Sequence, residues 1–293
     1  MTSGRYSDES HADSGEQTDR VLVELALEGS RDALRQIIER HQGFVYNVAL
    51  KMFGQREDAE DLTQEVFVKV ITSLKTFRNE SALRTWLYRL TVNHFLKTRR
   101  RALEIPIDDF ETYFEGIAAV PQDDSFAAYG VTDETVEELR LRCTSGMLMC
   151  LDREQRMTFI LGAMFGLPHD EGAAALGTTP GNFRVRLHRA RRDLYSWMNK
   201  RCGLVNQANP CRCRKKTVGY VKLGFVDPHR LVFNSNYTVR IDSLTRRDAA
   251  ATMQAVEDLH EQVFRSHPLQ QGGGAVLDAI LGDKTIRSFF KLA

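Results

Sequence analysis

The stretch from Pro168 to Arg192, PHDEGAAALGTTPGNFRVRLHRARR, constrains the fold more tightly than any other part of this chain. Asp170 to Leu176 is small and Ala-rich, which predicts a short helix that a second helix can approach closely. Gly177 supplies a stop without steric penalty. Thr178 or Thr179 can cap the next helix, and Pro180 suits its first position, where no N–H partner is needed. Phe183, Leu187, Ala190 and Leu194 then recur at i, i+4, i+7 and i+11, one buried stripe. Arg184, Arg186, His188, Arg189, Arg191 and Arg192 fill much of the remaining surface. A short helix, a Gly turn and a helix with an arginine-rich outside make a helix-turn-helix, whose second helix fits the major groove of B-DNA. An ordinary helical hairpin with a solvated basic face is the competing reading; a second basic helix upstream weighs against it.

The net charge of +1 conceals this segregation of charge, so the whole-chain value says little about nucleic acid. No apolar run is long enough to cross a bilayer and the first residues are too polar for a signal peptide, so a cytoplasmic location without membrane insertion is expected. Five cysteines, an odd number without a secretion signal, argue against a disulfide framework.

Residues 1–18 are rich in Ser, Asp, Gly and Glu and read as a disordered tail. Asp19 can cap a short helix that runs to Leu27 and stops at Gly29. From Asp32 a longer helix follows, with Leu34, Ile37, Ile38, Phe44, Val45, Val48, Ala49 and Met52 inward and Gly54 at its end. A third helix, from about Asp58 to Leu74, buries Leu62, Val66, Val70, Ile71 and Leu74. Asp58, Glu60, Asp61, Gln64 and Glu65 make its first half acidic: a solvated face, or a docking surface for a basic partner. Phe77 to Ser81 breaks the pattern. A fourth helix, Ala82 to Arg101, follows with Leu83, Trp86, Leu87 and Leu90 inward. Its second half carries Arg89, Asn93, His94, Lys97, Arg99, Arg100 and Arg101, beside Trp86 and Tyr88. Aromatic stacking platforms among arginines suit single-stranded DNA, although Trp86 equally suits the core.

Residues 102–132 show no sustained period, carry Asp108, Asp109, Asp123 and Asp124, and read as a flexible acidic linker. Helical signal resumes at Asp133 to Leu151. Asp152 and Gln155 form a plausible capping box for a helix through Phe165.

These residues match a known family. AEDLTQEVFVKV, then TFRNESALRTWLYRLTVNHFLKTRRR, then LDREQRMTFILGAMFGL and LGTTPGNFRVRLHRARRDL resemble the extracytoplasmic-function group of bacterial sigma factors, over roughly residues 20 to 200. The resemblance implies a dissociable promoter-recognition subunit of RNA polymerase with no active site of its own. It implies docking of Asp58, Asp61, Gln64 and Glu65 on the clamp helices of the largest polymerase subunit, contact with the flap region, and room for an anti-sigma factor. It assigns Asn79, Glu80, Ser81, Trp86, Tyr88, Arg89, Asn93, Lys97 and Arg100 to opening the −10 element and holding a flipped base. It assigns Asn182, Arg184, Val185, His188 and Arg189 to the −35 element. The linker would follow the RNA path through polymerase. Gly172 stands where the family usually has Ile, and Pro180, Phe183 and Val185 replace Val, Val and Ser; Phe183 is expected to refill the space Gly172 leaves. Val185 cannot donate a hydrogen bond but can touch a thymine methyl.

Past Trp197 the resemblance ends. Cys202, Cys211 and Cys213 cluster with the basic run Arg212, Arg214, Lys215 and Lys216, which is expected to lower the thiol pKa values. Zinc is one reading, with His229, Cys143 or Cys150 as a fourth ligand; a thiol switch and unliganded thiols are the others. Residues 225–239 look irregular or extended, and 246–264 and 275–292 look helical. The extension could inhibit or merely stabilise.

The expected fold is therefore all-α: a tail (1–18), a sigma region 2-like helical domain (19–101), the acidic linker (102–132), a region 4-like helix-turn-helix domain (133–200) and a mainly helical C-terminal extension (201–293). The rival readings are a helix-turn-helix regulator that works without polymerase, and a metal or redox sensor that has lost sigma activity.

Overall fold

A computed structural model describes residues 9–53, 56–98 and 109–231, and every regular element among them is a helix. The chain divides into two compact units. Among the described residues the first holds 9–49 and 57–97, the second 50–56 and 98–231.

In the first unit α1 (Glu9–Leu27), most of α2 (Arg31–Phe53), nearly all of α3 (Arg56–Ser73, continued by a 3-10 turn, Leu74–Thr76) and α4 (Leu83–Lys97) enclose one apolar core. Its members are the periodic residues of the sequence: Leu34, Ile37, Ile38, Val45 and Val48 of α2, Leu62, Val66, Val70 and Ile71 of α3, Leu83 and Leu87 of α4, all buried. Two expectations need correction. Helix α1 begins at Glu9, inside the stretch read as a disordered tail; residues 1–8 lie outside the described residues. Asp19 is no cap but a buried residue inside α1, its carboxylate 3.1 Å from the Arg40 guanidinium and 3.3 Å from the His41 ring. A buried carboxylate needs such partners, since desolvating a lone charge is costly.

The second unit contains α5 (Phe110–Ala119), a 3-10 turn (Ala127–Tyr129), α6 (Asp133–Leu148), α7 (Arg153–Phe159) with a π-helical turn (Ile160–Met164), α8 (His169–Leu176), α9 (Pro180–Arg201) and α10 (Cys213–Lys222). Asp152 caps α7 by accepting from the Gln155 amide at 2.8 Å. The buried Arg156 guanidinium donates to the carbonyls of Leu148, at the end of α6, and of Met149 and Leu151 just beyond it.

The flexible-linker reading fails for residues 109–131. Asp109 caps α5 through the Thr112 amide at 2.7 Å, and Phe110, Phe114 and Ile117 bury one face. Phe110 and Phe114 stack on Trp197 of α9, with ring centroids 6.0 and 6.1 Å away. The Tyr113 hydroxyl donates to the Cys143 carbonyl of α6 at 2.7 Å. Acidic composition hid an apolar i, i+4, i+7 stripe that acquires meaning only against α6 and α9. Residues 99–108 and the helices expected at 246–264 and 275–292 lie outside the described residues.

The α8–α9 hairpin follows the sequence closely. Gly177 ends α8 with φ +63°, Thr179 accepts from the Asn182 amide at 3.2 Å, and Pro180 opens α9. Phe183, Leu187, Ala190 and Leu194 are buried. Phe183 fills the notch over Gly172: a Cβ built there would stand 2.5 Å from the Phe183 Cζ. The glycine and the large ring are thus one compensating pair. Gly172→Ile alone is expected to lower the stability of this unit by about 1–3 kcal/mol through overpacking. Gly172→Ile with Phe183→Val should lose at least about 1 kcal/mol less than the two single changes added. Urea unfolding in a Trp86→Phe background, where Trp197 alone reports, checks this; strict additivity would contradict the pairing.

Candidate nucleic-acid interface

Helix α9 presents two faces of opposite character. Opposite its buried stripe, Asn182, Arg184, Val185, His188 and Arg189 are all exposed. Val185 is the notable member: at 52% exposure it is an apolar side chain held in water between cations. The cap at Thr179 and the Phe183 anchor fix the start of α9, so these five residues project from a rigid first three turns. Arg186 is drawn aside to Glu154, 2.8 Å away. Arg192 pairs with neighbouring Asp193 at 2.8 Å. Arg184 and Arg189 remain exposed on the same helix as Val185 and His188.

The first unit carries the second basic region. Asn79 sits in the left-handed region (φ +56°) at the apex of the bend between α3 and α4, with Glu80 and Ser81 exposed beside it. Asn is one of the few residues with a side chain that takes this conformation readily. Trp86 is half-buried, 5.5 Å from Phe77. One face of Tyr88 is covered by Phe44, stacked at 3.6 Å, so that ring is partly committed to packing. Arg89 and Lys97 are exposed and Asn93 half-buried; Arg100 lies outside the described residues. On α3, Asp61 and Glu65 are exposed and Gln64 half-buried, while Asp58 is mostly buried at 7% exposure. Glu65 lies 3.2 Å from the His94 ring of α4, which ties the acidic helix to the basic one.

The cysteines are corrected in their chemistry. Cys143, Cys202, Cys211 and Cys213 lie within electrostatic reach of one another, and Cys202 is buried. The backbone amides of Leu204 and Val205 donate to the Cys202 sulfur, and that of Gly203 to Cys211. Among the described residues, no three of His, Cys, Asp and Glu are placed to hold one metal ion. Burial outweighs the basic run: it pushes Cys202 and Cys150 up to about 12 and raises Cys143 and Cys211 as well, although Lys216 and Arg212 pull Cys211 part of the way back. Desolvation wins over cations whose side chains are mainly engaged by other partners. Arg212 donates to the Gln207 carbonyl, Arg214 pairs with Asp133, Lys215 with Asp124, and Lys216 donates to carbonyls of α5. The native chain should therefore label slowly with Ellman's reagent at pH 8. Labelling of Cys202 should quicken about tenfold per pH unit above that, and urea should expose all five thiols at once. Rapid labelling of native Cys202 at pH 7.5 would contradict this.

Comparison with known proteins agrees with this geometry. The family model for sigma-70 region 2 matches residues 37–103, and that for sigma-70 region 4 matches residues 141–194. The chain is 31% identical to the ECF RNA polymerase sigma-E factor of Escherichia coli over 59% of its own length and 91% of that protein. It is 32% identical to the ECF RNA polymerase sigma factor SigE of Mycolicibacterium smegmatis, over 56% of this chain and 61% of the length of that relative. The solved structure of CnrH in complex with the cytosolic domain of CnrY covers 62% of this chain and 98% of that one, at 25% identity and a TM-score of 0.44. Two helical units matching regions 2 and 4 in this order, with a relative matched over nearly its whole length, place the chain in the extracytoplasmic-function family of RNA polymerase sigma factors.

Proposed function

We propose that this protein binds core RNA polymerase, directs it to a set of promoters and assists strand opening there. The observation that carries the reading is the rigid exposed face of α9, set on a capped helix-turn-helix within a chain of this family. Family membership supports the rest: the acidic face of α3 docks on polymerase, and the Asn79–Ser81 bend with α4 receives the unpaired −10 strand. Phosphodiester chemistry belongs to the polymerase; this chain contributes contacts and orientation.

The division of labour within α9 follows from side-chain chemistry. Arginines contact phosphates or guanine edges, and an apolar side chain in the groove meets the thymine C5-methyl. A family position usually filled by a hydroxyl is here filled by Val185, so the sequence read at −35 differs from that of relatives with serine.

Binding to duplex promoter DNA over a salt series separates these roles. Arg184→Ala or Arg189→Ala, if the side chain holds a phosphate, lowers the log–log salt slope by about 0.9 and weakens all sequences alike. Val185→Ala leaves the slope unchanged and loses about 1 kcal/mol of preference at a single T·A pair, within the range for one base contact. Asp61→Lys is expected to weaken capture of core polymerase at least tenfold while leaving duplex binding intact. Wild-type protein that binds promoters but never core polymerase would favour the polymerase-independent regulator instead.

A further inference from the structure

Helix α9 carries one arginine in its first turns to which no DNA contact has been assigned above, Arg186. In a helix of 3.6 residues per turn, the buried stripe of Phe183, Leu187, Ala190 and Leu194 defines an inward direction, and Val185 lies about 170° round the axis from it. Arg184 and Arg186 then stand about 100° to either side of Val185, on opposite flanks of the helix. A helix lying in the major groove with Val185 towards the base edges turns its two flanks towards the two strand backbones. Arg186 is thus the counterpart of Arg184 on the other flank.

The Arg186 flank meets the start of α7. Its guanidinium Nη2 lies 2.8 Å from the carboxylate of Glu154, in the first turn of that helix. Packing fixes how α7 and α9 meet. A Cβ built at Gly162, in the π-helical turn that continues α7, would stand 2.8 Å from Leu187 Cδ2 and 3.2 Å from Phe183 Cε1. The Phe159 and Tyr195 rings meet edge to face, with centroids 6.3 Å apart. Two charged neighbours of Glu154 are committed elsewhere: Asp152 caps α7, and Arg156 is buried against the carbonyls of Leu148 and Leu151.

The two partners are unequally placed. The Arg186 side chain is 28% exposed and that of Glu154 61%. The arginine is seated against the protein on the flank, whereas the carboxylate stands mostly in water and returns to it at small cost, because exposed ion pairs are weak. We propose, resting on the DNA-reading role of α9 given above, that Arg186 is a backbone-phosphate contact. In the DNA-free protein the Glu154 carboxylate occupies the place that a phosphate oxygen takes on the duplex. Glu154 is in this sense a built-in competitor of DNA.

Phosphate wins this exchange on the duplex. DNA presents one negative charge per about 1.7 Å of helix axis, and each phosphate that is neutralised releases condensed counterions; a lone carboxylate has no such atmosphere. The guanidinium fork also suits phosphate oxygens geometrically. Because the Arg186–Glu154 pair must part each time α9 enters the groove, Glu154 lowers affinity for every sequence alike and leaves base readout untouched. The two partners therefore have opposite signs. Loss of Arg186 removes a DNA contact, and loss of Glu154 removes a competitor. An ion pair that only staples α7 to α9 would lose the same interaction from either side.

The test measures binding of the full chain to a labelled duplex of mixed sequence over a salt series. The variants are Arg186→Gln, Arg186→Lys, Glu154→Gln and Glu154→Gln/Arg186→Gln, with Arg184→Ala/Arg189→Ala as the reference for α9. Arg186→Gln is expected to lower the log–log salt slope by about 0.9 and to weaken binding at least about threefold at low salt. Arg186→Lys, which keeps the charge, should keep the slope. Glu154→Gln should tighten binding about two- to fivefold with the slope unchanged. In the Arg186→Gln background the same change should gain less than half of that on a logarithmic scale. Weaker binding from Glu154→Gln and Arg186→Gln alike would overturn the proposal and leave the pair as a staple between helices. An unchanged slope in Arg186→Gln beside weakened binding in the reference variant would overturn this proposal alone. Should the reference variant bind like wild type, or wild type ignore the duplex, α9 does not read DNA and the function proposed above falls with it.

Discussion

The ring of Phe183 in the notch over Gly172 is the contact on which the exposed basic face of α9 depends. It fixes how closely α8 and α9 approach, and therefore which residues of α9 face outward. Once Phe183, Leu187, Ala190 and Leu194 are committed inward, helical geometry leaves Arg184, Val185, His188 and Arg189 on the exposed side. The Thr179 cap and Pro180 then hold the first turn, where the patch begins. Recognition chemistry is in this sense a consequence of packing: a hairpin opened by a misplaced side chain at residue 172 would still be basic, but its cations would no longer keep a fixed spacing.

Burial outweighs nearby charge in two other places. The thiols near the basic run would be acidified if charge alone mattered, yet their removal from water dominates and the cations are turned towards carboxylates and carbonyls. Lys216 shows the same competition from the cationic side. Burial pulls its ammonium down from the usual lysine range, and three carbonyl acceptors hold it in place. Sequence proximity of charge to a reactive group is therefore a weak guide until the direction of each side chain is known.

What the sequence disclosed and what it hid divide along the same line. The caps at Thr179 and Asp152, the Gly177 stop, the buried stripe of α9 and the compensation of Gly172 by Phe183 were legible, because each rests on local chemistry or regular spacing. Asp19 looked like a cap because it precedes an apolar run; its partners Arg40 and His41 lie on the next helix and cannot be read locally. Helix α5 was hidden by its acidic setting, although Asp109 and the spacing of Phe110, Phe114 and Ile117 carried the signal. Helix α10 was harder: it has few apolar residues and a mid-helix glycine, which lowers intrinsic helix propensity by about 1 kcal/mol. That glycine makes sense only once Pro121 is seen against it. The assignment of region 2 residues to DNA rests on family resemblance rather than on spacing, since Trp86 and Tyr88 serve the packing of their own unit as well.

On this account two units of the chain read two segments of one promoter, and they do so jointly only in the company of polymerase. Selection from a randomised DNA library with and without core polymerase, followed by sequencing, measures it directly. The expected outcome is a pair of sequence blocks at constant spacing, recovered as a pair only when chain and core polymerase are both present. A single block, recovered equally well by the chain alone, would contradict it.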